Sequence, residues 1–279
     1  MRIHPTAVIH PQAQVADDVI VGPYCVIGPK ATLGPGCDLQ NNVTVTGHTT
    51  IGARNRIFAF AVLGGEPQDN SYKGEETYLR IGDDNVIREF VTMNCGTTKQ
   101  TRATTVGNRN LFMAYCHIAH DCALGNGIVM ANSVQLGGHV MVEDDVVFGG
   151  LAAVHHFATI GQKAFIGGAT GVHQDCPPFM TTDGRPARVK GINTVGLKRR
   201  GFTTAEIEAL KEAYKLIYRS QFPRLKAVEN LEARTNTTPH VRVLTQFLRN
   251  MEKGRQGRAL EAFRRTPAVP PPTPAAVVR

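Results

Sequence analysis

Aliphatic residues recur at every sixth position along most of the chain. From Ile3 the steps fall on Ile9, Val15, Val21, Ile27, Leu33, Leu39, Val45, Ile51, Ile57 and Leu63. Steps at Asp69 and Glu75 fail, and Ile81, Ile87 and Met93 resume in the same phase. After one phase shift the pattern runs from Val106 through Phe112, Ile118, Leu124, Met130, Leu136, Val142, Phe148, Val154, Ile160 and Ile166 to Val172. Four residues after each aliphatic stands a mostly small residue, as at Ala7, Ala13, Cys25, Ala31 and Cys37, and again at Ala152, Ala158 and Ala164. A period of six fits neither a 3.6-residue helix nor an alternating strand. It predicts short strands joined by tight corners and coiled into a parallel β-helix, with aliphatics inward and the small residue in a crowded corner. Ordinary sandwich strands would not keep phase over ten consecutive hexads.

The breaks in the pattern divide the chain. A β-helix is predicted over 1–190, with excursions at 66–79 and 97–105. Polar loops that leave a rigid scaffold are where function concentrates. Beyond 190 the hexads stop and helical signals begin. Thr203 and Glu206 form a capping box, followed by Ile207, Leu210, Tyr214 and Ile217 at helical spacing. Further helical pattern covers Leu225–Arg234 and Val241–Met251, which defines an α-helical domain over 191–265. The last stretch, 266–279, is rich in Pro and Ala and is expected to be disordered.

Composition narrows the class. The 279 residues are 42% hydrophobic and 19% charged, enough to build a core. No apolar run is long enough for a membrane helix, and Met1–Pro5 begins no signal peptide, so a soluble cytoplasmic protein is expected. The net charge of +8 is uneven: residues 1–184 hold 11 Lys/Arg against 16 Asp/Glu, and residues 185–279 hold 20 against 7. That asymmetry predicts an acidic partner for the C-terminal part. Nucleic acid is disfavoured, because the basic region has few aromatics and no recognisable nucleic-acid motif. Of six cysteines, Cys25, Cys37, Cys116, Cys122 and Cys176 fall in the small-residue slot and only Cys95 does not. With no CxxC motif, they read as reduced, buried thiols.

Chemistry gathers in the histidines. Five of ten lie between 117 and 156, with another at 173. If three hexads make an 18-residue coil, His120, Gly138, His156 and Gln174 form one column, and Asp121, His139 and Phe157 the next. With coils ~4.8 Å apart, His139 should stand one rung above Asp121, and His155 under His173. Two readings follow. Three imidazoles could hold zinc; or one imidazole could be a general base oriented by a carboxylate, with backbone N–H groups at Gly137-Gly138 facing developing negative charge.

The motif His117-Ile118-Ala119-His120-Asp121-Cys122, together with Gly196-Leu197-Lys198-Arg199-Arg200-Gly201-Phe202, strongly resembles the UDP-N-acetylglucosamine O-acyltransferases of lipid A biosynthesis. The similarity runs from the first hexad to about residue 265 and includes Ala213–Ser220. The resemblance implies a left-handed β-helix, an exception to right-handed crossovers, assembled as a homotrimer with sites between subunits. It implies transfer of a 3-hydroxyacyl chain from acyl carrier protein to the glucosamine 3-hydroxyl of UDP-N-acetylglucosamine, with no metal and no cofactor beyond the carrier's phosphopantetheine. By similarity His120 is the base, Asp121 orients it, and the Gly138 N–H stabilises the oxyanion. His117, His139, His155 and Asp69 match substrate-contacting positions. Asn193, Arg199 and Arg200 match positions near the UDP group, and Gly168 the end of the acyl slot. Three positions depart from the family pattern: His156 replaces a Gln, Ser71 replaces a Lys (with Lys73 close by), and Val195 replaces a Glu. The competing readings are a zinc enzyme resembling γ-class carbonic anhydrases and a non-catalytic β-helix scaffold.

Overall fold

A computed structural model describes residues 2–264. The chain forms a left-handed parallel β-helix with a small helical domain after it. Most strands are only two residues long, and they stack into three sheets of eleven, nine and eight strands. The pairing of Ile3 with Val21 and of Ile9 with Ile27 sets the coil at 18 residues, or three hexads.

The hexad rule follows from the cross-section. Ile27, Leu33, Leu39, Ile51, Ile57 and Leu63 all point inward and are buried, each worth roughly 1.5–3 kcal/mol of transfer free energy when fully buried. The small-residue slot lies at the corner, where Cys25, Ala31, Cys37 and Val43 are also buried. Corner residues take left-handed φ values in three columns, one running through Tyr115, Ser133 and Leu151, one through Arg109, Asp145 and Lys163, and one through Asp121, His139 and Phe157. All six cysteines are free and buried, Cys95 among them.

The pairing also explains the phase of the sequence. Ile81 pairs with Ile51, thirty residues earlier, so the first excursion adds twelve residues, two whole hexads, and phase is kept. Val106 pairs with Ile81 across twenty-five residues, so the second adds seven, which shifts it. Both excursions are shorter than the hexad count suggests. Tyr78–Ile81 and Ala103–Val106 are four-residue strands that pair with each other, which returns Tyr78, Leu79 and Ala103–Thr105 to the sheet.

At the C-terminal end, Met180–Asp183 pairs antiparallel with Arg188–Ile192, a hairpin outside the hexad pattern. Helix α1 (Thr194–Arg199) follows, too short to show helical periodicity. Helices α2 (Thr204–Tyr218), α3 (Arg224–Glu232) and α4 (Pro239–Lys253) then pack around Leu210, Ile217, Val228, Leu244 and Leu248. The Thr203–Glu206 capping box is formed at the start of α2. The chain returns to the β-helix through Asp175, which accepts from the Thr159 and Ala259 N–H groups, and through buried Arg258, which donates to His173 O at 2.7 Å. No helix among the described residues is long and apolar enough to cross a membrane. The tail at 266–279 lies outside the described residues.

Candidate active site

Asp121 and His139 occupy the same left-handed corner position in successive coils, with φ of 60° and 62°. Asp and His enter this region more readily than most residues with a Cβ. The rung between them closes through the His139 N–H, which donates to His120 O at 3.0 Å. Phe157 continues the column, its ring stacked on His139 at 4.4 Å and 4°. His120 meets His139 edge-on, with ring centroids 5.1 Å apart.

The Nδ1 of His120 lies 2.8 Å from Asp121 Oδ2. The buried carboxylate also accepts from the Thr97 N–H at 2.9 Å and the Thr97 hydroxyl at 2.7 Å. Burial alone would raise the Asp121 pKa, but the hydrogen bonds from His120 and Thr97, with the nearby His139 adding to them, hold it below the ordinary carboxylate value. An ionised carboxylate only accepts, so the shared proton belongs to His120 Nδ1, and in the neutral ring Nε2 is then the nitrogen with the lone pair. The ring lies against Gly138, where a Cβ would come within 2.5 Å of His120 Cε1 and 2.7 Å of Nε2. Of the two glycine amides, Gly137 donates to Val154 O at 2.9 Å within the ladder, so its N–H is not available to a ligand.

The two excursions meet over this cluster. From the second, Gln100 Oε1 lies 3.0 Å from His139 Nδ1, and Lys99 Nζ lies 2.5 Å from Asp69 Oδ2 on the first. Burial would raise the Asp69 pKa, but Lys99 and Ser71 hold the carboxyl far below its usual range. Lys73, the nearer lysine in sequence, donates to Asn70 O instead. Burial pushes His139 down to about 4, against the pull of Asp121, and the nearby His120 and Lys99 further disfavour a charged ring. His117 is lowered by burial and by His120, and its Nδ1 lies 2.7 Å from Thr92 Oγ1. His155 stands 3.8 Å from His156 and 5.9 Å from His173, ring to ring. Thr92, Thr97, Lys99, Gln100 and Thr104 escape the sequence reading; their only signals are the polar break at 97–105 and the column spacing. Thr104 accepts the Asp121 N–H at 2.9 Å.

Other candidate residues lie apart. Asn193 caps α1 by accepting from the Gly196 N–H at 3.1 Å, and its amide donates to Lys163 O at 2.9 Å. Arg200 donates to Asp145 O at 2.8 Å, while Arg199 ends α1 exposed. Asp145 and Lys163 belong to a different corner column from Asp121. One chain therefore does not bring this group beside His120. Gly168 stacks over Gly150, and Gly150 over Asn132: a Cβ would meet the carbonyl below at 3.4 Å and 3.2 Å, respectively.

Ligand atoms of His120, Asp121 and His139 lie within 4.8 Å of one another, close enough to gather round a cation. In this arrangement they are held by protons: His120 Nδ1 by Asp121, Asp121 by Thr97, and His139 Nδ1 by Gln100.

Comparison with known proteins gives a consistent picture. Residues 175–256 match the family described as UDP N-acetylglucosamine O-acyltransferase, domain 2, and residues 1–35 match the bacterial transferase hexapeptide family. An acyl-[acyl-carrier-protein]--UDP-N-acetylglucosamine O-acyltransferase of Synechocystis is 51% identical over 257 residues, covering 91% of this chain and 92% of its own. The solved UDP-N-acetylglucosamine O-acyltransferase of Moraxella catarrhalis is 40% identical, with a TM-score of 0.85 over 88% of this chain and 96% of its own. That of Bacteroides fragilis, a UDP-N-acetylglucosamine acyltransferase, is 36% identical, with a TM-score of 0.87 over 89% and 97%. Sequence and fold agree along nearly the whole length, and the chain belongs to the acyl-[acyl-carrier-protein]--UDP-N-acetylglucosamine O-acyltransferase family.

Proposed function

We propose that this chain moves a 3-hydroxyacyl group from acyl carrier protein to the 3-hydroxyl of UDP-N-acetylglucosamine in the cytoplasm, as the first step of lipid A biosynthesis. The observation that carries the chemistry is the His120–Asp121 pair at 2.8 Å, with its imidazole packed on Gly138. His120 Nε2 takes the proton of the sugar hydroxyl as the oxygen attacks the thioester carbonyl. The charge that develops on the carbonyl oxygen is met by the Gly138 N–H. Collapse breaks the carbon–sulfur bond, and the phosphopantetheine thiolate leaves with the proton held by His120. No covalent enzyme intermediate is needed, and Asp121 stays ionised throughout while the imidazolium forms beside it.

His117, His139, His155 and Asp69 serve as contacts to the bound substrates, and Asn193, Arg199 and Arg200 serve the UDP end. Arg suits phosphate because its fork donates bidentately. The separation of the latter group from His120 within one chain supports a homotrimer whose sites each draw on two copies. An apolar corner supports it too: Tyr24, Phe60, Phe90, Tyr115 and Leu151 are exposed along one column, and Phe60, Phe90 and Tyr115 stack at 5.1 Å and 4.8 Å. The basic C-terminal region complements an acidic carrier protein.

A zinc-dependent reading is favoured by one observation, the close approach of the His120, Asp121 and His139 ligand atoms. One preparation separates the two. Purified protein is incubated with UDP-N-acetylglucosamine and a panel of 3-hydroxyacyl carrier proteins, products are weighed by mass spectrometry, and metal content is measured. An O-acylated sugar nucleotide from metal-free protein is the expected result. No acylated product together with stoichiometric zinc would overturn the proposal.

A further inference from the structure

The second excursion does more than cover the site. Gln100 reaches it from a loop, and its Oε1 lies 3.0 Å from His139 Nδ1. A carbonyl oxygen only accepts, so this contact requires the proton of the neutral His139 ring to sit on Nδ1. The other nitrogen, His139 Nε2, lies 3.7 Å from Asp121 Oδ2, beyond hydrogen-bond distance. That same oxygen already accepts from His120 Nδ1 and from the Thr97 hydroxyl.

The alternative tautomer has a consequence for the base. With its proton on Nε2, His139 would place a third N–H 3.7 Å from Asp121 Oδ2, and a shift of a few tenths of an ångström would bring it into competition with His120 for that oxygen. The Gln100 amide would have to turn over as well, presenting its NH₂ to a bare Nδ1. The two arrangements therefore switch together, and only one leaves Asp121 to His120.

We propose that Gln100 is a positioning residue: by accepting from Nδ1 it fixes the His139 tautomer, keeps Asp121 for His120, and leaves His139 Nε2 as an acceptor for a substrate hydroxyl or amide N–H. The effect on rate rests on the acyltransferase reading above; the tautomer does not. The charged and titratable groups around His139 are Asp121, His120, Lys99 and Asp69, and Phe157 covers one face of the ring. Burial keeps His139 neutral, pushed down to about 4, so that at neutral pH the tautomer and not the charge is what Gln100 sets.

The test uses the full chain labelled with ¹⁵N-histidine, because the two ring nitrogens of a neutral imidazole resonate far apart according to which carries the proton. Wild type should show His139 protonated on Nδ1. Gln100→Leu should move the proton to Nε2 and lower kcat about tenfold with KM for the acyl donor little changed, a factor that corresponds to about 1.4 kcal/mol of transition-state stabilisation. Gln100→Glu keeps an acceptor facing Nδ1 and should retain the wild-type tautomer and most of kcat, with its activity limb displaced in pH because the added carboxylate favours a charged His139. A wild-type proton on Nε2 overturns the proposal, as does a Gln100→Leu protein with unchanged tautomer or unchanged kcat. If wild type makes no acylated product, the failure belongs to the proposed reaction, and the ¹⁵N spectra of wild type and Gln100→Leu still decide whether Gln100 sets the tautomer.

Discussion

A Cβ at Gly138 would stand 2.5 Å from His120 Cε1, so the glycine and the imidazole of the coil beneath it share one space. The ring cannot swing away freely, because its Nδ1 is tied to Asp121. Gly138→Ala should therefore displace the base while leaving the fold intact, since the coil's core faces inward. We expect kcat to fall by ~10²-fold, within the usual worth of a positioned base, with an unchanged circular dichroism spectrum. Activity close to wild type would mean that the His120 position seen here is not the working one.

Much of this arrangement is legible in the sequence, for a physical reason. A β-helix repeats with a fixed period, so residues 18 apart must stack, and His139 over Asp121 and His155 under His173 follow from counting alone. Counting stops where the chain leaves the coil. Nothing in the hexads tells that Lys99 meets Asp69, or that Thr97 reaches Asp121 and Gln100 reaches His139. Loop conformation depends on many weak contacts and carries no period. Helix α1 is similarly invisible at six residues, although its N-cap Asn193 and the Arg199-Arg200 pair stand out through family resemblance.

The separation of Arg199 and Arg200 from His120 within a chain predicts complementation. His120→Ala chains, inactive alone, and Arg199→Ala chains, slow alone when the UDP sugar is held below its raised KM, should regain activity at that concentration when co-expressed. If every site draws on two copies, about a quarter of sites in randomly mixed trimers combine the intact halves. Rate measurements on the isolated mixed species check this. No recovery in verified mixed trimers would place both residues in one chain's site. Arg199→Ala alone should mainly raise KM for the UDP sugar, because the role proposed for it is to bind phosphate and not to make bonds.

The lowered pKa of His139 predicts a pH dependence of stability. Its folded value of about 4 lies below the ordinary value of 6.5, so between those limits the unfolded chain binds the extra proton. Stability is then fully present above about pH 6.5 and declines as pH falls toward 4. Urea midpoints measured from pH 4 to 7 should fall more steeply for wild type than for His139→Gln. Parallel curves would contradict the assignment.

Gly168 over Gly150 leaves two successive rungs of the coil without a side chain. Reading it as the far end of the acyl slot predicts a preference for long 3-hydroxyacyl donors, since each buried CH₂ is worth ~0.8 kcal/mol, about fourfold in kcat/KM. Gly168→Met should shift the preference toward shorter chains. Competition between donors of different length, with products weighed together, checks this; an unmoved profile would place the end of the slot elsewhere.

The central claim is that His120 takes the hydroxyl proton while Asp121 holds it in place, and replacing His120 by Ala tests it most directly. Binding of UDP-N-acetylglucosamine, followed by calorimetry, should stay within a few-fold of wild type. Single-turnover acyl transfer should slow by ~10²–10⁴-fold, the usual worth of a general base. A His120→Ala protein that transfers the acyl group at more than about a tenth of the wild-type rate, well inside that range, would contradict the account.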